Sequence, residues 1–310
     1  MTAPTSSIVA VIGAGLMGHG IALVMARAGH QVEICDPVTE SRDTLHQRVT
    51  DSLTAIGVDR SEIPQIISRI SVHSNIKAAV GNAEFVFEAA PEKLPLKQQL
   101  FAEIEQHAPA DCILASNTSV IQISLIMENL ETKHRALGTH WWNPPHMIPL
   151  VEVIRTKWTD DAAMQAMTAL LDGAGKTPVT VEKDVPGFIG NRLQHALWRE
   201  AISLVENGIC DAQAVDTVIK ASFGRRLAVL GPLENADLVG TDLTLDIHEN
   251  VLFDLESRKG PSPYLEQLVA DGRLGMKSGE GFRTWTDEEA NQLRGKIPAY
   301  LSEVSKLLNK

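Results

Sequence analysis

The sequence predicts a doubly wound α/β domain on a mainly parallel sheet over residues 1–186, followed by an all-helical C-terminal domain over residues 187–310. Three observations carry this expectation. A β-branched run, Ile8–Ile12, leads at once into glycines and a helical pattern reaching Ala28, which is the order strand, tight turn, helix. Short apolar runs then alternate with helix-length segments as far as Val181, and such alternation covers both faces of a parallel sheet with helices. Beyond Pro186–Gly187 the apolar residues recur at helical spacing instead.

The elements come in order. Val32–Cys35 is a second short strand, closed by Asp36 and Pro37. Phe85–Phe87, Ile113–Ala115, Ala136–Gly138, Val151–Ile154 and Pro178–Val181 are further strands of the same kind. After Gly187, the positions Phe188, Leu193, Leu197, Ala201 and Leu204 mark one face of a helix that stops at Asn207–Gly208. Asp211 is placed to cap the next helix, which runs to about Ser222, and Gly224, Gly231–Pro232 and Gly240 punctuate the chain beyond it.

Composition removes several classes of function. A chain of 310 residues with 44% hydrophobic and 22% charged residues is that of a soluble globular protein. A net charge of -11 opposes a polyanionic partner, so no nucleic acid is expected. Cys35, Cys112 and Cys210 lie far apart without a CxxC spacing, so neither a disulfide framework nor a metal centre is expected, and a reducing, cytoplasmic setting fits. The residues before Ile8 lack the basic start of a signal peptide, and no apolar run is long enough to span a bilayer, so no membrane partner is expected either.

Gly13-Ala-Gly15-Leu16-Met17-Gly18 sits directly between the first strand and its helix. A turn of this kind lets backbone amides approach a pyrophosphate at a helix N-terminus, the Rossmann-type arrangement for a dinucleotide. Asp36 ends the next strand, 18 residues after Gly18, where a carboxylate accepts hydrogen bonds from the ribose hydroxyls of NAD and repels the 2′-phosphate of NADP. NAD is therefore the expected cofactor. Glu92 and Lys97 come after the strand that ends near Glu88; they reach the cofactor or simply begin an exposed helix.

Gly138-Thr-His-Trp-Trp-Asn-Pro-Pro-His-Met-Ile-Pro-Leu-Val-Glu-Val153 brackets aromatic residues and prolines between His140 and Glu152. Glu152 interrupts an apolar run, where an ionised carboxylate is costly without a partner. Pro144, Pro145 and Pro149 cannot join a continuous ladder, so the segment turns back and lets strand ends 12 residues apart meet. His140 is then the nearest partner for Glu152, and a carboxylate on one ring nitrogen makes the other a base suited to neutral pH. Trp141 and Trp142 exclude water or pack the domain, and Asn143 bonds the loop or a substrate.

These stretches, together with Ser116-Asn117-Thr-Ser119, Asp184-Val-Pro-Gly-Phe-Ile-Gly-Asn-Arg192 and Gly275-Met-Lys-Ser-Gly-Glu-Gly-Phe282, resemble the NAD-dependent 3-hydroxyacyl-CoA dehydrogenases and their relatives that act on small free 3-hydroxy acids such as gulonate and carnitine. The resemblance runs from about Ile8 to Trp285. It implies that His140 takes the proton of a 3-hydroxyl while hydride passes to NAD, that Glu152 orients the imidazole, and that Ser119 and Asn191 hold the substrate oxygen. It implies cofactor contacts from Gly13 to Gly18 and at Asp36, Glu92, Lys97 and Asn117, and a helical second domain that makes a homodimer. Members resembling this family also serve as lens structural proteins, which is the non-enzymatic alternative.

Two features separate the chain from the acyl-CoA branch. Relatives that bind coenzyme A carry lysines after the second strand, whereas residues 37–76 here hold four arginines (42, 48, 60, 69) against five acids (40, 43, 51, 59, 62) and no lysine. That is weak counter-charge for a triphosphorylated carrier. Phe223-Gly-Arg-Arg-Leu-Ala-Val-Leu-Gly-Pro232 is similar to the gulonate and carnitine branch, and Arg226 in it clamps a substrate carboxylate or pairs with an acid such as Glu234 or Asp237. The Gly275–Phe282 segment is shared with the acyl-CoA branch. The expected activity is oxidation of a 3-hydroxyacyl substrate, with a small free 3-hydroxy carboxylate as the alternative.

Overall fold

The structure is a computed structural model that describes residues 6–308. The chain forms two compact units, one made by the residues up to Arg192 together with those from Tyr300 onward, the other by Leu193–Ala299. The sequence places a division at Pro186–Gly187; the units part inside the helix Gly190–Glu206.

The first unit is built on one eight-stranded sheet. Its strands are β1 (Ile8–Ile12), β2 (Gln31–Cys35), β3 (Ile70–His73), β4 (Phe85–Glu88), β5 (Ile113–Ser116), β6 (Ala136–Trp141), β7 (Leu150–Ile154) and β8 (Thr177–Val181). Their order is β3-β2-β1-β4-β5-β6-β7-β8. Every pair is parallel except β6 with β7. The chain winds outward from β1 to β3, returns beside β1 and winds the other way, so the crevice of a doubly wound sheet opens at the carboxyl ends of β1 and β4.

Alternation along β1 shows why the centre of the sheet is apolar throughout. Val9 and Val11 enter one core layer with Ile21, Leu23, Leu45, Val49, Met167 and Leu171, whereas Ala10 and Ile12 enter the layer on the opposite face with Val80, Phe101, Ile104 and Ile123. Successive side chains of a strand point to opposite faces, so a strand covered by helices on both sides has no polar position to spare. β5 and β6 are buried at every residue.

β3 is an element that the sequence pattern does not predict. Ile-Ser-Val-His is four residues long, lies at the sheet edge, and buries only Ile70 fully. Such a strand has too little apolar content to announce itself.

In the second unit, Asp211 caps the helix Ala212–Ala221 as the sequence indicates, its carboxylate accepting the Ala214 amide at 2.7 Å. That helix and the helices Pro232–Val239 and Thr241–Val251 bury no residue, and Leu233, Leu238 and Phe253 are 79%, 73% and 82% exposed. Among the described residues no helix is long and apolar enough to cross a membrane.

The edge of the core nearest β7 is filled by Trp141, fully buried, edge-on to Phe87 at 5.7 Å between ring centroids. Trp141→Ala should cost about 3–5 kcal/mol, because a cavity adds to the lost transfer free energy. A lowered urea midpoint for unfolding of the first unit measures it.

Candidate active site

The glycine turn after β1 has the shape that a dinucleotide requires. Gly13 has φ 106°, and a Cβ there would lie 2.8 Å from the carbonyl oxygen of Ala89; a Cβ on Gly18 would lie 1.7 Å from that of Gly13. A side chain at Gly15 would meet nothing within 4 Å, so this is the side on which the backbone is open to a ligand. Leu16 is exposed beside it, whereas Met17 turns inward against the core. Asp36 accepts the Ala14 amide on Oδ2 (2.7 Å) and the Val38 amide on Oδ1 (2.8 Å), which fixes its carboxylate at the end of β2. These residues fit NAD: glycines that let the chain turn and approach, and an acid where a ribose would lie.

At the ends of β4 and β5 a sealed polar chain lies beneath the turn. Lys97 and Glu88 have no accessible surface, and Lys97 Nζ donates to Glu88 Oε1 at 2.7 Å and to the Ala90 carbonyl at 3.2 Å. Ser116 Oγ donates to the other Glu88 oxygen at 2.6 Å. Nζ also faces Glu92 at 3.6 Å, and Glu92 accepts the Thr118 hydroxyl and the Ser119 amide (3.1 Å). Burial pushes the Glu92 carboxyl up, but the Thr118 hydroxyl, Lys97 and the loop amides outweigh it and hold it below its ordinary value. The family resemblance makes Lys97 a cofactor contact. In the structure its ammonium is enclosed, bonded to Glu88 and Ala90 and facing Glu92. Glu88, which begins this chain of bonds, gives no signal in the sequence beyond ending a strand.

His140 and Glu152 stand directly opposite each other on the antiparallel strands β6 and β7. Nδ1 of His140 lies 2.7 Å from Oε2 of Glu152, and both side chains are almost wholly buried. An ionised carboxylate can only accept, so Nδ1 carries the proton and Nε2 offers a lone pair. Oε1 of Glu152 accepts the amides of Ile189 (2.8 Å) and Gly190 (3.0 Å). Burial pushes the Glu152 carboxyl up; the bond from His140 and these two amides outweigh it, and the group is held below its ordinary value.

The Pro186–Gly190 turn delivers those amides. Gly187 has φ 74° and Phe188 φ 50°, so the chain reverses sharply, laying the Phe188 ring 5.6 Å from the imidazole while Trp142 flanks it at 5.1 Å. Asp184 anchors the start of the turn by accepting the amides of Ile123 (3.0 Å) and Ser124 (2.6 Å). Asn191 comes next, its Nδ2 donating to the Ser119 carbonyl at 2.8 Å. Asn117 accepts the Trp141 amide at 2.9 Å, so β5 fixes the residue next to His140. Ser119, His140, Glu152 and Asn191 are thus brought together within the first unit.

The proline loop between β6 and β7 is pegged from below. Lys176 is buried, donates to the carbonyls of Pro145 and Ile148 (2.9 Å for the latter), and rests over the Trp141 ring at 5.2 Å. Burial pushes its pKa down to about 8. Asn143 is exposed and makes no hydrogen bond to the loop. Arg226, in the second unit, is exposed and forms no ion pair with Glu234 or Asp237 among the described residues; Glu234 caps the Gly231 amide instead, at 2.7 Å. Burial pushes the Cys35 thiol up to about 11 and the Cys112 thiol up to about 12, so neither supplies a thiolate at neutral pH.

Acid should loosen this region in two ways. His146 is pushed down to about 4 by burial, with the neighbouring His19 and Lys176 adding to it, so between about pH 6.5 and 4 the unfolded chain takes up the proton first and stability falls. Glu152 has a lowered folded pKa, so its contribution is complete above its ordinary 4.5 and is lost as pH falls through the lowered value. Urea midpoints measured across this range should fall with pH, and His146→Gln should flatten the upper part while leaving the steeper loss at the acid end.

Comparison with known proteins accounts for this arrangement. The profile of the 3-hydroxyacyl-CoA dehydrogenase NAD binding domain matches residues 8–185, and that of the 3-hydroxyacyl-CoA dehydrogenase C-terminal domain matches residues 187–285. The chain is 32% identical to 5-formyl-3-hydroxy-2-methylpyridine 4-carboxylate 5-dehydrogenase of Mesorhizobium japonicum over 97% of each sequence. It superposes on a crystal structure of that enzyme activity, described as an NAD+ dependent dismutase, with a TM-score of 0.91 over 98% of this chain and 99% of the other. It is 35% identical to the mitochondrial hydroxyacyl-coenzyme A dehydrogenase of Homo sapiens over 88% of this chain and 90% of that one. Against (S)-3-hydroxybutyryl-CoA dehydrogenase of Ralstonia eutropha the TM-score is 0.76 at 29% identity, over 91% and 100%. With both domain profiles matched in sequence order along a chain whose glycine turn suits NAD, the protein belongs to the NAD-dependent 3-hydroxyacyl-CoA dehydrogenase family.

Proposed function

We propose that the protein oxidises a carbon-bound hydroxyl of a small free carboxylic acid, with His140 as general base. One observation carries the choice of base: a buried imidazole whose Nδ1 is committed to a carboxylate that two backbone amides also hold. That leaves Nε2 to take the hydroxyl proton, and Glu152 stabilises the imidazolium that forms. Ser119 and Asn191 position the substrate oxygen, and Trp142 and Phe188 keep water from the imidazole. When bound, NAD supplies the hydride acceptor. The same base serves a secondary alcohol or the hydrate of an aldehyde, since each presents an O–H on the carbon that loses hydride.

A free acid is favoured over a coenzyme A thioester by the likeness along the full chain to a dehydrogenase whose name specifies a pyridine carboxylate. The acid excess of residues 37–76 supports the same choice. The resemblance of residues 223–232 to the gulonate and carnitine branch makes Arg226, exposed and without an acid partner among the described residues, the cation we propose for a substrate carboxylate. Asn143, also exposed, is a second polar contact for the substrate. The acyl-CoA reading is the second one, favoured by the identity with the human hydroxyacyl-CoA enzyme. The intact set Ser119, His140, Glu152 and Asn191 speaks against a purely structural role. The uncovered apolar helices of the second unit support a homodimer, and the unpaired cysteines a cytoplasmic one.

His140→Ala should lower kcat by about 10²- to 10⁴-fold with NADH binding unchanged, as read by single-turnover absorbance and by fluorescence titration. A panel of free hydroxy acids, aromatic aldehyde acids and 3-hydroxybutyryl-CoA, assayed by NADH formation, should give turnover with a free acid, and Arg226→Ala should then mainly raise KM. Turnover confined to the thioester rejects the free-acid assignment and leaves the His140 result standing.

A further inference from the structure

The end of β2 carries more positive charge than recognition of NAD calls for. Arg42 lies in the short helix Thr39–Asp43 and folds back onto the strand end, Nη1 donating to the carbonyls of Asp36 (2.8 Å) and Pro37 (2.9 Å) and Nη2 to the Thr39 hydroxyl (3.0 Å). Arg48 reaches the glycine turn from the next helix, Leu45–Ala55: Nη2 donates to the carbonyls of Ala14 (2.7 Å) and Ser41 (2.8 Å), and Nε to the Thr44 hydroxyl (3.2 Å). Neither guanidinium forms an ion pair among the described residues. Glu40 and Asp43 are exposed on the same short helix without pairing to Arg42, and the Asp36 carboxylate is turned to the amides of Ala14 and Val38.

Two cations held by neutral oxygens are positioned without being neutralised. Of the guanidinium donors of Arg42, both on Nη1 and one on Nη2 are engaged, which leaves Nε–H and the second N–H of Nη2. A planar pair of donors of this kind matches two oxygens of a phosphate. Arg42 is only partly exposed, so its reach is short, and its position is fixed by the carbonyls of Asp36 and Pro37 and the Thr39 hydroxyl. Arg48 adds a second positive charge to the field on the glycine-turn side.

We infer that Arg42, backed by Arg48, is a ready-made grip for the 2′-phosphate of NADP, and that the Asp36 carboxylate alone keeps the site from using it. Cofactor choice in this chain then rests on the Asp36 carboxylate at the strand end, set against two pre-positioned guanidinium groups. Removing that charge uncovers the grip with no new cation supplied. A merely structural Arg42, stapling the loop after β2, would affect NADH and NADPH alike.

Fluorescence titration of NADH and NADPH against the full chain separates these possibilities and needs no substrate. Asp36→Ser should bind NADPH about tenfold or more tightly than the wild type, the scale of one added charge-assisted hydrogen bond, and Asp36→Ser with Arg42→Ala should lose that gain while binding NADH as the single variant does. The isosteric Asp36→Asn, alone and with Arg42→Ala, repeats the comparison if the serine variant melts early. No gain for NADPH in either Asp36 variant that still binds NADH overturns the inference, as does a gain that survives Arg42→Ala. Loss of NADH binding by the wild type itself would instead remove the cofactor site on which both readings stand.

Discussion

The arrangement depends on one buried carboxylate. Glu152 sits inside an apolar strand, and a charge there is tolerable only when every oxygen is occupied. The fold meets that demand from two directions, with His140 across the ladder and the amides of Ile189 and Gly190 from a turn nearly 40 residues further along. The carboxylate therefore does more than orient an imidazole. It draws the end of the sheet and the start of the next helix to a single point, so the position of the imidazole and the closure of the unit are the same structural fact.

The antiparallel β6–β7 pair arises from the same constraint. A parallel crossover would need a dozen or more residues and would not bring positions 140 and 152 face to face, whereas a reversed chain does so directly. The prolines end one strand and delay the next, and Lys176 supplies from outside the loop the donors that its carbonyls cannot find within it. Among the described residues this ammonium has no carboxylate partner, and burial pushes its pKa down to about 8. It is retained because the alternative is a loop with unpaired carbonyls against the core.

Much of this was legible in the sequence, for identifiable reasons. The glycine turn and Asp36 could be read because backbone geometry and charge there admit few residue types, and the meeting of His140 with Glu152 because a carboxylate in an apolar run demands a partner. The sealed Glu88–Lys97 pair was not legible. Its residues are ordinary for a strand end and a helix start, and only the fold reveals that water cannot reach them. β3 escaped because an edge strand needs little apolar content. The packing of Trp141 in the core and the placement of Trp142 against His140 could not be told apart, since the two are neighbours where the strand ends and the sequence alone does not say which way each ring turns.

The enclosed pair at Glu88 and Lys97 has a bearing on how such a protein can drift. Replacing Lys97 alone strands the Glu88 carboxylate in a dry interior and replacing Glu88 alone leaves Lys97 only its longer pairing with Glu92, whereas exchanging both for matched neutral groups removes the imbalance at a stroke. The two positions are bound to one another as firmly as if they were a single heritable character, although they stand on different elements and only one of them reaches toward the loop of Ser119.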